Sequence, residues 1–314
     1  MVRGALLLNI GATAALLLSA TPLPAAQEKP IATFKSGVEL VRLNAVVRDK
    51  KGRFVQNLTV RDFEVFDGGI PRQIKEFRPD TGDISIALLF DVSGSMESRL
   101  GDARDAARHV LSWLDRHQDE AAIFTFDTRL AEVTPFTPGL KHLPAKVEEI
   151  TPFGATSLHD AIGETADRLA TRPGIRRAVV VFTDGIDTAS RLTPEEVSAA
   201  ASAIDVPVYI FAVVPSIDNP AAENTLILEG KSPLAGPLAD LASWTGGHVF
   251  VASVPAERSA SARQIIDELR HQYLIAFESS GRPGWHPLVV RARGRDLTVR
   301  ARSGYIAGQS RPIS

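Results

Sequence analysis

The 314-residue sequence contains no cysteine. That absence excludes disulfides, cysteine-ligated zinc, thiol catalysis and a lipidated N-terminal cysteine. Charge of one sign is missing too: 35 Lys and Arg against 37 Asp and Glu give a formal net charge of −2, which argues against a general nucleic-acid binder. No G-x-S-x-G elbow occurs, and no nucleophile, base and orienting group come together in the sequence as a hydrolase would need. Beyond the first residues no apolar run is long enough to cross a membrane. What is left is a chain, 44% hydrophobic, able to build one large domain and a smaller one.

The N-terminus reads as export. Arg3 precedes the apolar stretches Ala5–Leu8 and Ala14–Leu18, and Pro22, Pro24, Ala25 and Ala26 form a small-residue exit. This is the pattern of a secretory signal over residues 1–26, which places the mature chain outside the cell or in the periplasm and envelope. Pro24 occupies the small-residue position before Ala26, and Gly4 to Ala26 is uncharged and long enough to span a bilayer. An uncleaved N-terminal membrane anchor is therefore the alternative, against which Asn9, Gly11 and the prolines count.

Two pieces of chemistry follow in the middle of the chain. Ile84 to Phe90 is a near-continuous apolar run, read as a strand buried on both faces. Directly behind it, Asp91-Val92-Ser93-Gly94-Ser95 places a carboxylate and two hydroxyls at alternate positions in a turn. Hard oxygens without sulfur or imidazole suit Mg²⁺, Mn²⁺ or Ca²⁺ rather than zinc or copper. Leu100, Ala103, Ala107, Val110, Leu111 and Leu114 then recur at helical spacing between Ser98 and His117, so the turn lies at a strand-to-helix junction, where open α/β sheets place ligands. Gly154-Ala155-Thr156-Ser157 precedes a second helical pattern, and Thr183-Asp184-Gly185 closes a second buried strand, Ala178 to Phe182.

Strand, D-x-S-x-S, helix, later G-x-T, later an apolar strand ending in T-D-G: this order resembles the von Willebrand factor type A (vWA) domain. The resemblance implies a Rossmann-like, doubly wound, mostly parallel α/β sheet carrying a metal-ion-dependent adhesion site. Carried over position by position, Ser93, Ser95 and Thr156 would supply hydroxyls to a Mg²⁺ (or Mn²⁺/Ca²⁺) ion, and Asp91 and Asp184 carboxylates, partly through water. A phosphate-type turn, or a site that has lost its ion, is the alternative; none of the family's ligand types is missing. Mg²⁺ keeps waters in a near-octahedral shell, so one position stays exchangeable, and the resemblance implies an Asp or Glu of a protein partner as its natural occupant.

The flanks read differently. Val41, Leu43, Ala45 and Val47 alternate with polar neighbours, as in a half-buried strand. Asp49 to Gly52 is a turn; Phe63 to Phe66, the Asp67-Gly68-Gly69 turn and Ile74 to Phe77 would form two more strands. Leu58-Thr59, Asp62-Phe63, Val65 and Asp67-Gly68, with Arg302-Ser303-Gly304-Tyr305 near the end, resemble the secreted VWFA-related proteins of Acidobacteria. After a helix bearing Ile265, Ile266 and Leu269, Tyr273 to Phe277 reads as a strand. Leu288, Val290 and Ala292 would then pair with Leu297, Val299 and Ala301 in a hairpin, leaving Arg291, Arg293, Arg300 and Arg302 on the other face, solvated, internally paired or facing an anionic partner. Neither flank can bury a core alone. The expected division is a signal at 1–26, an N-terminal β segment at 27–80, the vWA domain at 81–255 and a C-terminal helix and hairpin at 256–314, with the two flanks pairing into one small β-domain. Residues 215–233 form a long loop leaving the metal-bearing edge.

Function narrows to an exported, metal-dependent protein-binding or scaffold module, not an enzyme. A structural protein with a fold-stabilising metal is the first alternative and a metal-assisted hydrolase the second. The hydrolase would need a base beside the metal, and His159, three residues past Thr156, is the only nearby candidate; a helix-surface or packing role suits it better.

Overall fold

A computed structural model describes residues 40–115, 117–172, 176–203, 205–213, 236–251, 254–294 and 296–307. The expected signal at 1–26 and the long loop at 215–233 lie outside the described residues.

Ile84–Asp91 (β5) is buried at all eight positions, and it is buried because helices cover both faces of its sheet. Its neighbours are Glu120–Phe126 (β6), Leu130–Pro138 (β7), Arg176–Thr183 (β8), Val208–Ala212 (β9) and Val249–Val251 (β10), in the order β10-β9-β8-β5-β6-β7. Every pairing is parallel except that of β7, an antiparallel edge strand. Side chains alternate across a strand. Ile86, Leu88 and Phe90 therefore join the core under Leu100–Trp113 (α1) and Pro255–Arg270 (α6), with the short helix Ala145–Glu149 (α2) alongside. Ala87 and Leu89 join the opposite core under Leu158–Ala170 (α3), Pro194–Ala203 (α4) and Pro237–Thr245 (α5). The sheet is doubly wound, as the alternation of apolar strands and amphipathic helices predicts.

The flanking strands form a second unit around one shared core. Leu40–Asp49 (β1) lies between Leu297–Ala301 (β13) and Gln272–Glu278 (β11), and β11 also pairs Ile74–Pro79 (β4). Facing this sheet is another, in which Phe63–Asp67 (β2) lies between Ile70–Arg72 (β3) and Gly284–Ala292 (β12), with Gly304–Ala307 (β14) at its edge. N-terminal and C-terminal strands thus alternate in the first sheet, and in the second they meet where β12 pairs β2.

Three expectations are corrected. The hairpin joining Leu288–Ala292 to Leu297–Ala301 does not form: β12 pairs β2 and β13 pairs β1. The inward side chains Leu288, Val290, Ala292, Leu297, Val299 and Ala301 still meet, but across the sandwich rather than along one sheet. That arrangement covers both apolar faces, which a two-stranded hairpin cannot do. The four arginines consequently separate. Arg291 and Arg293 are exposed, Arg300 pairs with Glu268, and Arg302 is buried beside Asp205. Ile74 to Phe77 does not return onto β2; the three-residue β3 takes that place and β4 crosses to β11. Finally, α6 belongs to the large core rather than to the C-terminal β unit, because Ala262, Ile265, Ile266 and Leu269 make an apolar face that packs with α1.

Candidate metal centre

The chain leaves β5 at Asp91, and Val92 keeps the register with β6 by donating its N–H to Phe126 O at 2.9 Å. The turn then tightens into a single 3-10 turn, Gly94–Met96, anchored by the fully buried Met96. Asp91 is fully buried, and both its oxygens are engaged: Oδ1 accepts the Ser93 N–H at 3.0 Å and Oδ2 the Thr183 hydroxyl at 2.7 Å. Ser93 Oγ and Ser95 Oγ lie 3.2 Å apart, with Ser93 buried and Ser95 open to solvent. Oxygens about 3 Å apart match neighbouring ligands of a six-coordinate ion with bonds of about 2.1 Å.

The second loop is stitched to the first through its backbone. Phe153 N–H donates to Val92 O at 2.9 Å, and Gly94 N–H donates to Gly154 O at 3.0 Å. Gly154 has φ +89°, a conformation that side chains disfavour, so the glycine of G-x-T is needed for the turn itself. Two residues on, Thr156 is 2% exposed. Its N–H donates to Thr188 Oγ1 at 2.9 Å, and its C=O accepts the N–H groups of Thr188 and Ala189, each at 2.9 Å.

Asp184 follows β8 in the third loop and is 4% exposed. Its Oδ1 accepts the Ile186 N–H at 3.2 Å, and its Oδ2 receives Arg99 Nη1 at 2.5 Å. Thr183, fully buried, links the two carboxylate loops, donating to Asp91 while accepting the Gly185 N–H at 3.0 Å. Burial pushes the Asp91 carboxyl above its ordinary range, against the hydrogen bonds from Ser93 and Thr183, and the charge of Asp184 pushes it the same way. A cation between the two would relieve both effects.

Asp91, Ser93 and Ser95 thus share one turn, Asp184 is tied to it through Thr183, and Thr156 sits on the loop that the turn grips. Among the described residues no three His, Asp or Glu side chains converge as metal ligands. An ion here would therefore lean on hydroxyl and water oxygens, a donor set that fits Mg²⁺ or Mn²⁺. His159 does not face this task. Its Nδ1 lies 2.8 Å from Asp187 Oδ2 and its N–H donates to the same oxygen at 3.0 Å, bracing α3 against the third loop. Burial raises the Asp187 carboxyl, but hydrogen bonds from Ser190 and His159 outweigh it and hold the group low.

Sequence reasoning passed over the supporting residues. Thr183 was visible as the first letter of T-D-G, and its role follows from the inward alternation of β8. Thr188 and Arg99 carry no local signal, since their partners lie 32 and 85 residues away. Phe153 and Ile186 were equally silent, yet they are 82% and 44% exposed on the two loops beside the site.

The chain carries a von Willebrand factor type A domain: residues 86–186 match the family model of that description, from β5 through the third loop. That domain type marks protein-interaction modules. Among solved structures, the chain is similar to an aerotolerance-related membrane protein from Bacteroides fragilis, at 18% identity over 59% of this chain and 98% of that one, with a TM-score of 0.46. It is similar also to the PilB minor pilin from Streptococcus sanguinis (14% identity, 61% and 62% covered, TM-score 0.45). A von Willebrand factor type A protein from Catenulispora acidiphila matches more of the chain, at 12% identity over 90% of this chain and 77% of that one, with a TM-score of 0.44. No curated protein sequence matches the chain. Among the described residues no helix is long and apolar enough to cross a membrane.

Proposed function

We propose that the protein is an exported binding module that captures a protein partner through a divalent ion, the ion bridging Asp91, Ser93, Ser95, Thr156 and Asp184 to an Asp or Glu of the partner. One observation carries this reading: two buried carboxylates from separate strands are tied together by Thr183, beside a pair of serine hydroxyls spaced as neighbouring ligands. Two carboxylates leave a bound dication nearly neutral, with room for an outside anion and little of the equipment of hydrolysis. His159, the one candidate base, is committed to Asp187, which favours binding over catalysis. Phe153 and Ile186 give the partner apolar ground beside the ion, so a carboxylate flanked by a bulky apolar side chain is the ligand that fits. Export rests on the N-terminal pattern of residues 1–26.

The test begins with Mn²⁺ calorimetry on the wild type and Asp91→Ala. The wild type should bind one ion and the variant none; equal binding sinks the assignment. Crosslinking in an envelope extract, with and without EDTA, then identifies the partner, and its Asp or Glu positions are replaced one at a time. Crosslinks unchanged by EDTA would move the binding face elsewhere.

A further inference from the structure

Asp184 already holds a cation. Arg99 Nη1 donates to its Oδ2 at 2.5 Å, and the carboxylate is only 2% exposed. Arg99 is no stray surface residue. It stands four positions past Ser95, where the D-x-S-x-S turn passes into α1; its N–H donates to Met96 O at 2.9 Å, and its C=O accepts the Ala103 N–H at 3.1 Å. The turn that presents Asp91, Ser93 and Ser95 therefore also sends a positive charge across to the third loop.

We propose that Arg99 sets the ion affinity of this site, its guanidinium serving as the resident counter-charge of Asp184 that a divalent ion must displace. The proposal rests on the metal-bridge reading above. A buried carboxylate needs a partner charge, and Arg99 supplies it. When an ion arrives, Asp184 cannot serve both cations equally well, and the guanidinium and the ion repel each other across a carboxylate that is only 2% exposed. Arg99 has somewhere to go, because its side chain is 22% exposed. Ion uptake is then an exchange of cations on Asp184, and the strength of the Arg99–Asp184 pair is subtracted from the affinity. Arg99→Gln removes the competitor. Arg99→Lys keeps the charge but loses the planar fork that matches a carboxylate, so it competes less well than arginine.

The experiment is calorimetric titration of the full chain with Mn²⁺ and with Mg²⁺ at low ionic strength, for the wild type, Arg99→Gln and Arg99→Lys, with circular dichroism confirming the fold. Arg99→Gln should bind about tenfold more tightly than the wild type, ~1.4 kcal/mol, with Arg99→Lys between them. If Arg99→Gln binds the ions no more tightly than the wild type, Arg99 is not the determinant, while the metal site stands. If no variant and no wild type takes up either ion, the metal-bridge reading falls and this proposal with it. Should Arg99→Gln fail to fold, Arg99→Lys decides: affinity equal to the wild type overturns the proposal, and tighter binding supports it.

Discussion

The central sheet and the β-sandwich solve the same problem in opposite ways. Strands β5, β6 and β9 are buried at every position, so they tolerate almost no polar residue except where they end. The sandwich strands are buried mainly on one face, apart from β11, which is buried at every position but its last, and charges on the outer face of β1 and β13 find a partner on the large core. Glu268 of α6, fully buried, receives Arg48 Nη2 at 2.9 Å and Gln264 Nε2 at 3.2 Å, and pairs with Arg300 of β13. Asp80, the residue after β4, pairs with Arg176 at 3.2 Å, and within the large core Arg270 of α6 pairs with Asp119 at 2.9 Å. These contacts lie at the amino ends of the central strands, where the chain passes from β4 into β5 and from α6 into β11. Asp91 and Asp184 lie at the carboxyl ends. Eight residues of β5 separate the two edges, roughly 25 Å of strand. Among the described residues, the sandwich is thus fastened at the edge away from the loops carrying Asp91, Thr156 and Asp184.

The largest effects should come from the seam between the two units. Glu268→Ala leaves Arg48 and Arg300 facing each other without their carboxylate, and breaking a buried pair in this way costs about 3–5 kcal/mol. Urea unfolding should show that loss; a cost below about 1 kcal/mol would mean the seam is held by apolar contacts instead. Leu88→Ala in β5, fully buried, should cost about 2–5 kcal/mol. Val299→Ala, on a partly buried face of the sandwich, should cost clearly less. Equal losses would erase the distinction between the two regions.

The same contrast explains what the sequence revealed. Near-continuous apolar runs as short as Ile84–Phe90 and Ala178–Phe182 read as strands covered on both faces, and the turns at their ends stand out because the oxygens of Asp91, Ser93, Ser95 and Asp184 interrupt an apolar background. The sandwich strands gave their inward residues correctly, since Leu288, Val290, Leu297 and Val299 all face the core. They did not give their partners. A period of two says which side chains point inward but not which strand lies alongside, and β12 and β13, adjacent in sequence, belong to different sheets. Arg99 and Glu268 were opaque for a related reason: an ion pair between distant positions leaves no mark on either local pattern.

A smaller effect separates function from stability at the site itself. Asp91→Asn removes a charge that the folded chain holds at a cost, since burial raises that carboxyl above its unfolded value. A raised carboxyl favours the fold below its unfolded pKa, and the benefit is lost as pH rises through the folded value. Above the folded value the chain therefore carries the Asp91 charge at a cost in stability. The asparagine keeps an acceptor for Thr183 but presents an amide where Ser93 N–H needs an oxygen, so the gain and the lost hydrogen bond offset each other to within about 1 kcal/mol. Asp91→Asn should abolish Mn²⁺ binding and leave the urea midpoint almost unmoved. Wholesale unfolding would instead favour a metal that stabilises the fold.

The smallest effect is a pH dependence at the seam. The His248 imidazole is lowered to about 4 by burial, with Arg300 and Arg48 adding their positive charges. It stands edge-on to Phe250, ring centroids 5.1 Å apart, and it stays neutral while an unfolded histidine, with a pKa near 6.5, takes up a proton. Between about pH 6.5 and 4 the unfolded chain therefore binds a proton that the folded chain refuses, and stability falls with pH through that window. His248 is exposed along part of its surface, so solvent screens the two arginines and the loss should be about 1 kcal/mol or less. Carboxylates titrate in the lower part of this range, so the difference between the wild type and His248→Gln is the quantity to measure. The wild-type urea midpoint, measured at pH 7, 5.5 and 4.5, should fall relative to that of His248→Gln, because only the wild type carries the histidine term. Parallel curves would mean that His248 protonates freely in the fold and that Arg48 and Arg300 spend their charge on Glu268 alone.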